Sequence, residues 1–166
     1  MSLTTEIYTT AEVITAVIPN ADFDPSLLDK RLLKCQRKYL RDLIGEDFYD
    51  EILTEFAAGT LTADNLTLLN DYIIPMLSYY LVYESLPDIR TNITSSGVVE
   101  LSQEFISPSS RGDYASVRNQ ILADAEDWRV ELLRFIKDTQ KDDSSKYPEF
   151  TNKDKNYFNK YGIIPY

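Results

Sequence analysis

Apolar residues recur every three or four positions through most of the chain, and polar breakers divide that rhythm into helices. Thr9 to Val17 is a short helical pattern, capped by Thr9 or Thr10 and stopped before Pro19, with Asn20 to Asp24 as a loop. The next start is stronger. Asp24 can accept hydrogen bonds from first-turn N–H groups, Pro25 suits the first helical position, and Gly45 supplies a stop. Between them Leu28, Leu32, Cys35 and Tyr39 form a stripe that Leu33, Leu40 and Ile44 widen, so both sides of this helix should face protein.

Glu46 to Ala58 is a further helix, with Phe48, Ile52 and Phe56 on one face and Gly59 closing it. Thr60 to Asp64 turns the chain into the longest central helix, from Ala63 or Asn65 to Leu86. Its stripe is Leu66, Leu69, Ile73, Leu77, Tyr80 and Glu84. Pro75 should bend this helix, because it removes one backbone donor while the apolar period continues past it; Pro87 should end it. Beyond Pro87, Ile93 and then Val98, Val99 and Leu101 flank Thr94-Ser95-Ser96-Gly97, which reads as two short strands around a turn, an irregular loop being the alternative. Ser107 to Ser110 breaks the chain again, with Ser109 or Ser110 as a cap. Tyr114, Val117, Ile121, Trp128, Leu132 and Phe135 then mark a last long helix ending near Lys141. The expected fold is all-α: a small bundle of four to five helices in residues 1–143, a β-hairpin-like insert at 88–108, and an extended C-terminal arm at 144–166.

Length and composition fit that picture. A chain of 166 residues suits one domain, and 43% hydrophobic with 27% charged residues is the balance of a folded globular protein. The net charge of −10 argues against sequence-independent nucleic-acid binding, which requires cations to neutralise phosphates, yet permits a protein that nucleic acid merely passes. The start of the chain lacks a basic segment followed by an apolar run, so no secretory signal is visible. The most apolar stretch, Tyr72 to Tyr83, falls well short of the roughly 20 residues that span a bilayer, so no membrane role is expected. The sequons at Asn65 and Asn92 therefore have no secretory context.

Candidate chemistry is sparse. Without histidine, Ser-His-Asp and Cys-His nucleophiles are excluded, and five glycines assemble no phosphate-binding loop. The single cysteine, Cys35, cannot form an intramolecular disulfide and reads as a buried structural thiol. Asp47, Asp50, Glu51 and Glu55 lie on the polar face of their helix and read as a solvated charged surface. Glu84 continues an apolar stripe, so either the helix is already leaving the core there or Glu84 pairs with an arginine across a helix or subunit contact. Arg111-Gly112-Asp113 spells an adhesion tripeptide by coincidence. No enzyme, cofactor or metal is expected.

The last 23 residues differ from the rest, carrying +2 against −12 for the remainder and holding Tyr147, Phe150, Tyr157, Phe158, Tyr161 and Tyr166. Flexible tails are normally poor in aromatic rings, which gain free energy only on leaving water, so this tail should lie on something. Tyr147, Pro148, Phe150, Tyr157, Phe158, Tyr161 and Tyr166 are the candidate partner or subunit interface. A strap across the chain's own helices is the alternative.

Leu43-Ile44-Gly45, Pro75 with Tyr79, Tyr80, Tyr83, Glu84 and Leu86-Pro87, Thr91-Asn92, Gly97-Val98-Val99 and Tyr147-Pro148-Glu149-Phe150 together carry a resemblance. From about Asp24 to Phe150 the chain resembles the head-to-tail connector (neck adaptor or ring) proteins of tailed bacteriophages, nearest those of Bacteroidota-infecting and crAss-like phages. The resemblance implies a structural virion protein, made in the host cytoplasm, with commonly twelve copies in a ring beneath the portal. Partners would be other copies, the portal protein and tail or further neck proteins, with DNA only a passing polymer. It also implies that the insert faces the channel through Thr94, Ser95, Ser96 and Gly97, small uncharged residues that neither hold nor strongly repel phosphates. The competing expectation is a monomeric or dimeric helical interaction module or regulator that uses its aromatic tail.

Overall fold

The computed structural model describes residues 5–18, 24–94, 97–100 and 111–151. Helix α1 (Thr10–Val17) begins with a capping box in which Thr9 and Glu12 satisfy each other's backbone N–H groups. Asp24 accepts from the Ser26 N–H at 3.0 Å, as its position before Pro25 suggests. The single helix expected from Asp24 to Gly45 is instead segmented: α2 (Ser26–Asp29), α3 (Leu32–Cys35), a π-helical turn π1 (Gln36–Arg41) and α4 (Asp42–Ile44). Two side chains account for much of this. Arg31, at the break, reaches Asp88 with two hydrogen bonds of 2.6 and 2.8 Å. Gln36, fully buried at the start of π1, accepts from the Ile7 N–H and donates to the Thr5 carbonyl and to Tyr49 Oη, tying the chain's first described residues to the bundle.

Helix α5 (Glu46–Ala58) has the predicted bounds, buries Phe48, Tyr49, Ile52 and Leu53, and ends at Gly59 in the left-handed conformation. Its other flank is Gly45, whose φ of 92° and ψ of 158° suit almost no other residue. A Cβ at Gly45 would also meet the Thr151 side chain at 3.2 Å. The central run comprises α6 (Ala63–Leu68), a second π-helical turn π2 (Leu69–Ile73) and α7 (Ile74–Arg90). The widened turn directly precedes Pro75 and gives room to a ring that would press on the carbonyl four residues earlier.

Two expectations for this run need correcting. Leu66 is 46% exposed, because the Thr62 cap and the Asn65–Glu55 hydrogen bond turn Asn65 and Leu68 inward instead. Pro87 does not end α7, which continues to Arg90. The buried Ile89 and the Arg31–Asp88 ion pair hold the turn that the proline weakens.

Strands β1 (Thr91–Thr94) and β2 (Gly97–Glu100) follow, paired antiparallel with Thr91 opposite Glu100 and Thr94 opposite Gly97. Ser95 and Ser96 lie outside the described residues, as do Leu101 and the candidate caps Ser109 and Ser110. Helix α8 (Arg111–Asp142) takes the coincidental tripeptide into its first turn and packs along α7. One hydrophobic core joins α1 through α8, with Leu40, Phe48, Ile73, Tyr80, Leu132 and Ile136 fully enclosed. The all-α class holds.

Candidate interaction surfaces

Where π1, α7 and α8 meet, two tyrosines and two carboxylates form a joint. Tyr39 and Tyr80 stack with ring centroids 3.8 Å apart and planes 8° from parallel. On one side Glu84 accepts from Lys38 Nζ and Tyr39 Oη, both at 2.5 Å. On the other, Tyr80 Oη donates to Glu126 at 2.7 Å, and Glu126 is held by the largely buried Arg129 at 2.8 Å. Partial burial raises the Glu84 pKa, but the Lys38 and Tyr39 hydrogen bonds outweigh it and the net shift is downward. Among the described residues the partners of the half-buried Glu84 are a lysine and a tyrosine of the preceding helical run rather than an arginine. Lys38 and Tyr39 follow from the sequence only once α7 is placed across π1. Cys35 beside this joint is buried as predicted; burial, then Glu84, pushes its thiol up to about 12, so it is no nucleophile near neutrality.

The beginning of the C-terminal arm belongs to the body. Tyr147 is 5% exposed, set between Phe48 and Phe135, and its hydroxyl donates to the Asp64 carbonyl at 3.2 Å. It sits at a positive φ of 50°, a strained setting that the enclosure of its ring and a Gln140 hydrogen bond to its carbonyl maintain. Lys146 pairs with Asp64, Phe150 meets Phe48 edge-on, and the Thr151 N–H donates to the Ile44 carbonyl at 3.2 Å. Tyr147 thus packs between Phe48 and Phe135, and the half-buried Phe150 against Phe48, on the chain's own helices. Pro148 is exposed. Tyr157, Phe158, Tyr161 and Tyr166 lie outside the described residues. The body therefore extends at least to Thr151, past the expected boundary at 143.

Helix α8 divides into two parts. From Ala125 onward it buries Ala125, Arg129, Leu132, Leu133 and Ile136, whereas between Tyr114 and Asp124 no residue is buried and Val117 is 48% exposed. This more open part, where Tyr114, Ile121 and Leu122 still pack partly against the core, follows the paired strands in sequence, and its Arg118 rests over the Tyr83 ring at 4.2 Å. Thr94 and Gly97 are cross-strand neighbours at the end of the ladder.

A charged feature that hydrophobic periodicity overlooks runs along α2 to π1. Residues 30–41 contain Lys30, Arg31, Lys34, Arg37, Lys38 and Arg41 and no acid, so they carry +6 while the remainder of the chain carries −16 against the total of −10. Counting charge in a sliding window reveals it directly. Lys30, Lys34, Lys38 and Arg41 recur at helical spacing, and Lys30, Lys34 and Lys38 are exposed, opposite the buried Leu32, Cys35 and Leu40. On α5, the Tyr49 hydroxyl feels Arg37 and Arg41 and, in the opposite sense, Asp50. Glu51 looks elsewhere: burial first, then Glu55 and Glu149, raise its pKa.

Other chemistry is thin. Among the described residues no group of three or more His, Cys, Asp or Glu could hold a metal ion, and no helix is long and apolar enough to cross a membrane. A groove of about 280 Å³ between Tyr72, Phe135 and Asp138 is smaller than most ligand pockets, and its Glu131 is already paired with Arg134. No curated protein and no solved structure matches the chain. Residues 40–159 match a family of unknown function, DUF6712, and cover most of the fold from the end of π1 through α8. With well over half of its length matched, the chain belongs to the family of unknown function DUF6712.

Proposed function

We propose that this chain is a structural subunit of the head-to-tail connector of a tailed bacteriophage, a neck ring that joins the portal to the tail and forms part of the DNA channel. The observation that carries the proposal is the two-part α8. A helix of 32 residues is about 48 Å long, and in its first half the subunit covers only one side: Tyr114, Ile121 and Leu122 are partly buried against the core while Val117 is exposed. A monomeric bundle gains nothing from that open side or from the excursion before it. A ring subunit uses both to reach neighbours and the channel. In this reading the hairpin-like insert, with Thr94, Ser95, Ser96 and Gly97 at its tip, lines the channel.

The charge and the architecture support the same role. A closed ring needs two different patches on each subunit, and the helical body offers distinct faces for them. The net charge of −10 keeps passing DNA from adhering. Partners are other copies, commonly to a total of twelve, the portal protein, and tail or further neck proteins. The protein's place is the virion, after assembly in the host cytoplasm, and no catalytic step is involved. Beyond Thr151, Tyr157, Phe158, Tyr161 and Tyr166 are available as the arm that docks on a neighbour.

The test is mass in solution with negative-stain imaging, on the protein alone and mixed with candidate portal proteins. Rings, free or seated on the portal, are expected. A persistent monomer that binds some unrelated protein would replace the connector with the interaction-module reading.

A further inference from the structure

We propose that the basic face centred on the exposed Lys30 and Lys34, and flanked by Lys38 and Arg41, seats the acidic edge of Glu51, Glu55 and Glu149 on a second copy of this chain. The inference rests on the ring reading and supplies its subunit contact.

Three observations select this occupant. First, the charge separation is extreme for a small acidic protein: +6 lies within residues 30–41 and −16 lies elsewhere, so every copy brings the complement of its own basic face. Second, among the described residues the acidic edge is crowded and no lysine or arginine pairs with it. Glu51 is partly buried beside Glu55 and Glu149, and the polar group that reaches this edge is Asn65, whose amide donates to Glu55 at 2.7 Å. An incoming cation would relieve that crowding. Third, the two faces are separate features. The basic face runs from Lys30 along α3 and π1, with Arg41 3.7 Å from Asp42, whereas Glu51 and Glu55 lie on α5 beside Asn65 and the strap residue Glu149. Two different surfaces of one subunit make a heterologous contact, the kind that closes a ring.

The basic face also has the make-up of a contact surface. Leu33 is half-buried and lies between Lys30, Lys34 and Arg37 at helical spacing, giving the patch an apolar centre. Lys38 is committed to Glu84 and Arg31 to Asp88, which fixes the flanks, while Lys30 and Lys34 are exposed. A phosphate backbone is the other anion that such a face could meet. It is the weaker fit here, because part of the face is already neutralised and the remainder of the molecule repels a polyanion.

The experiment is sedimentation of the full-length chain at about 50 mM and about 500 mM salt, where the Debye length differs by roughly threefold. Three variants accompany it: Lys30→Glu with Lys34→Glu, Glu51→Lys with Glu149→Lys, and all four changes together. The wild type is expected to sediment as a multiple of 19.1 kDa at low salt and to shift toward a single subunit at high salt. Each paired reversal should weaken association by about tenfold or more, and the fourfold variant should recover most of it, since its exchanged charges are again complementary. That recovery also separates lost contact from lost folding, as does unchanged helical circular dichroism.

Paired reversals that assemble like the wild type would overturn this contact and leave the ring reading intact. A wild type that stays at 19.1 kDa under both conditions would overturn the contact and count against the ring as well. Loss of binding to a labelled DNA duplex in the Lys30/Lys34 variant, with its mass unchanged, would reassign the face to nucleic acid.

Discussion

The two parts of α8 share one apolar rhythm and have different surroundings. Leu132 and Ile136 are fully enclosed by the bundle, while Val117, on the same stripe, is 48% exposed and Tyr114 and Ile121 are only half covered. Periodicity therefore states which face of a helix is apolar and leaves open what covers it. In the closed part the cover is α7, π2 and the strap at Tyr147. In the open part the chain's own elements cover one side, and the proposed neighbours in a ring supply the rest.

The sharpest way to break that contrast is to truncate one residue on each side. Leu132→Ala should cost about 2–5 kcal/mol in urea unfolding, the usual range for a fully enclosed aliphatic side chain, whereas Ile121→Ala should cost under about 1 kcal/mol. Equal losses would show that the open part is covered after all. On the closed side, Gly45→Ala should cost about 1–3 kcal/mol, because alanine must adopt a glycine-only conformation and its methyl meets Thr151. Tyr80→Phe should cost about 1.5 kcal/mol by removing the hydroxyl that Glu126 accepts, and a double-mutant cycle with Glu126→Gln should show the two changes to be coupled.

Titration should also separate the parts. Burial raises Tyr147 and Cys35 from 10.0 and 9.0 to about 12 each, so both fold in their neutral forms. Their contribution is complete below the unfolded values and is lost as pH rises from about 9 through 12. Glu84, with its pKa lowered, contributes above its unfolded value and loses that contribution as pH falls through the folded one. Denaturation midpoints against pH should therefore decline at both extremes, and Tyr147→Phe should flatten part of the alkaline limb. The smallest expected effect on stability is that of Val117→Arg, within about 0.5 kcal/mol of the wild type. Its use lies elsewhere, since on the ring proposal the same substitution should weaken association between copies while the fold stays intact.

Local signals carried the elements whose ends are set by single residues. Gly59 closes α5, the Thr9 and Glu12 pair opens α1, and the Lys-Asp-Asp run ends α8, all within a residue or so of the pattern. Long-range contacts decided the rest. Pro87 stays inside α7 because Arg31, 57 residues earlier, holds Asp88. Tyr147 turns inward because Phe48 and Phe135, distant in sequence, leave a slot for its ring. The π-helical turns arise where Gln36 and Pro75 make tertiary and steric demands that a period of 3.6 residues does not express. The Glu84 joint was half visible: the carboxylate stood out on its stripe, but its partners Lys38 and Tyr39 appear only once α7 crosses π1.

The proposed closed ring, with its insert facing the channel, can be seen by electron microscopy of the full-length protein on its portal. Closed rings are expected, with residues 91–100 of every subunit along the inner rim. Single subunits scattered on the portal, or rings with that segment on their outer surface, would contradict it.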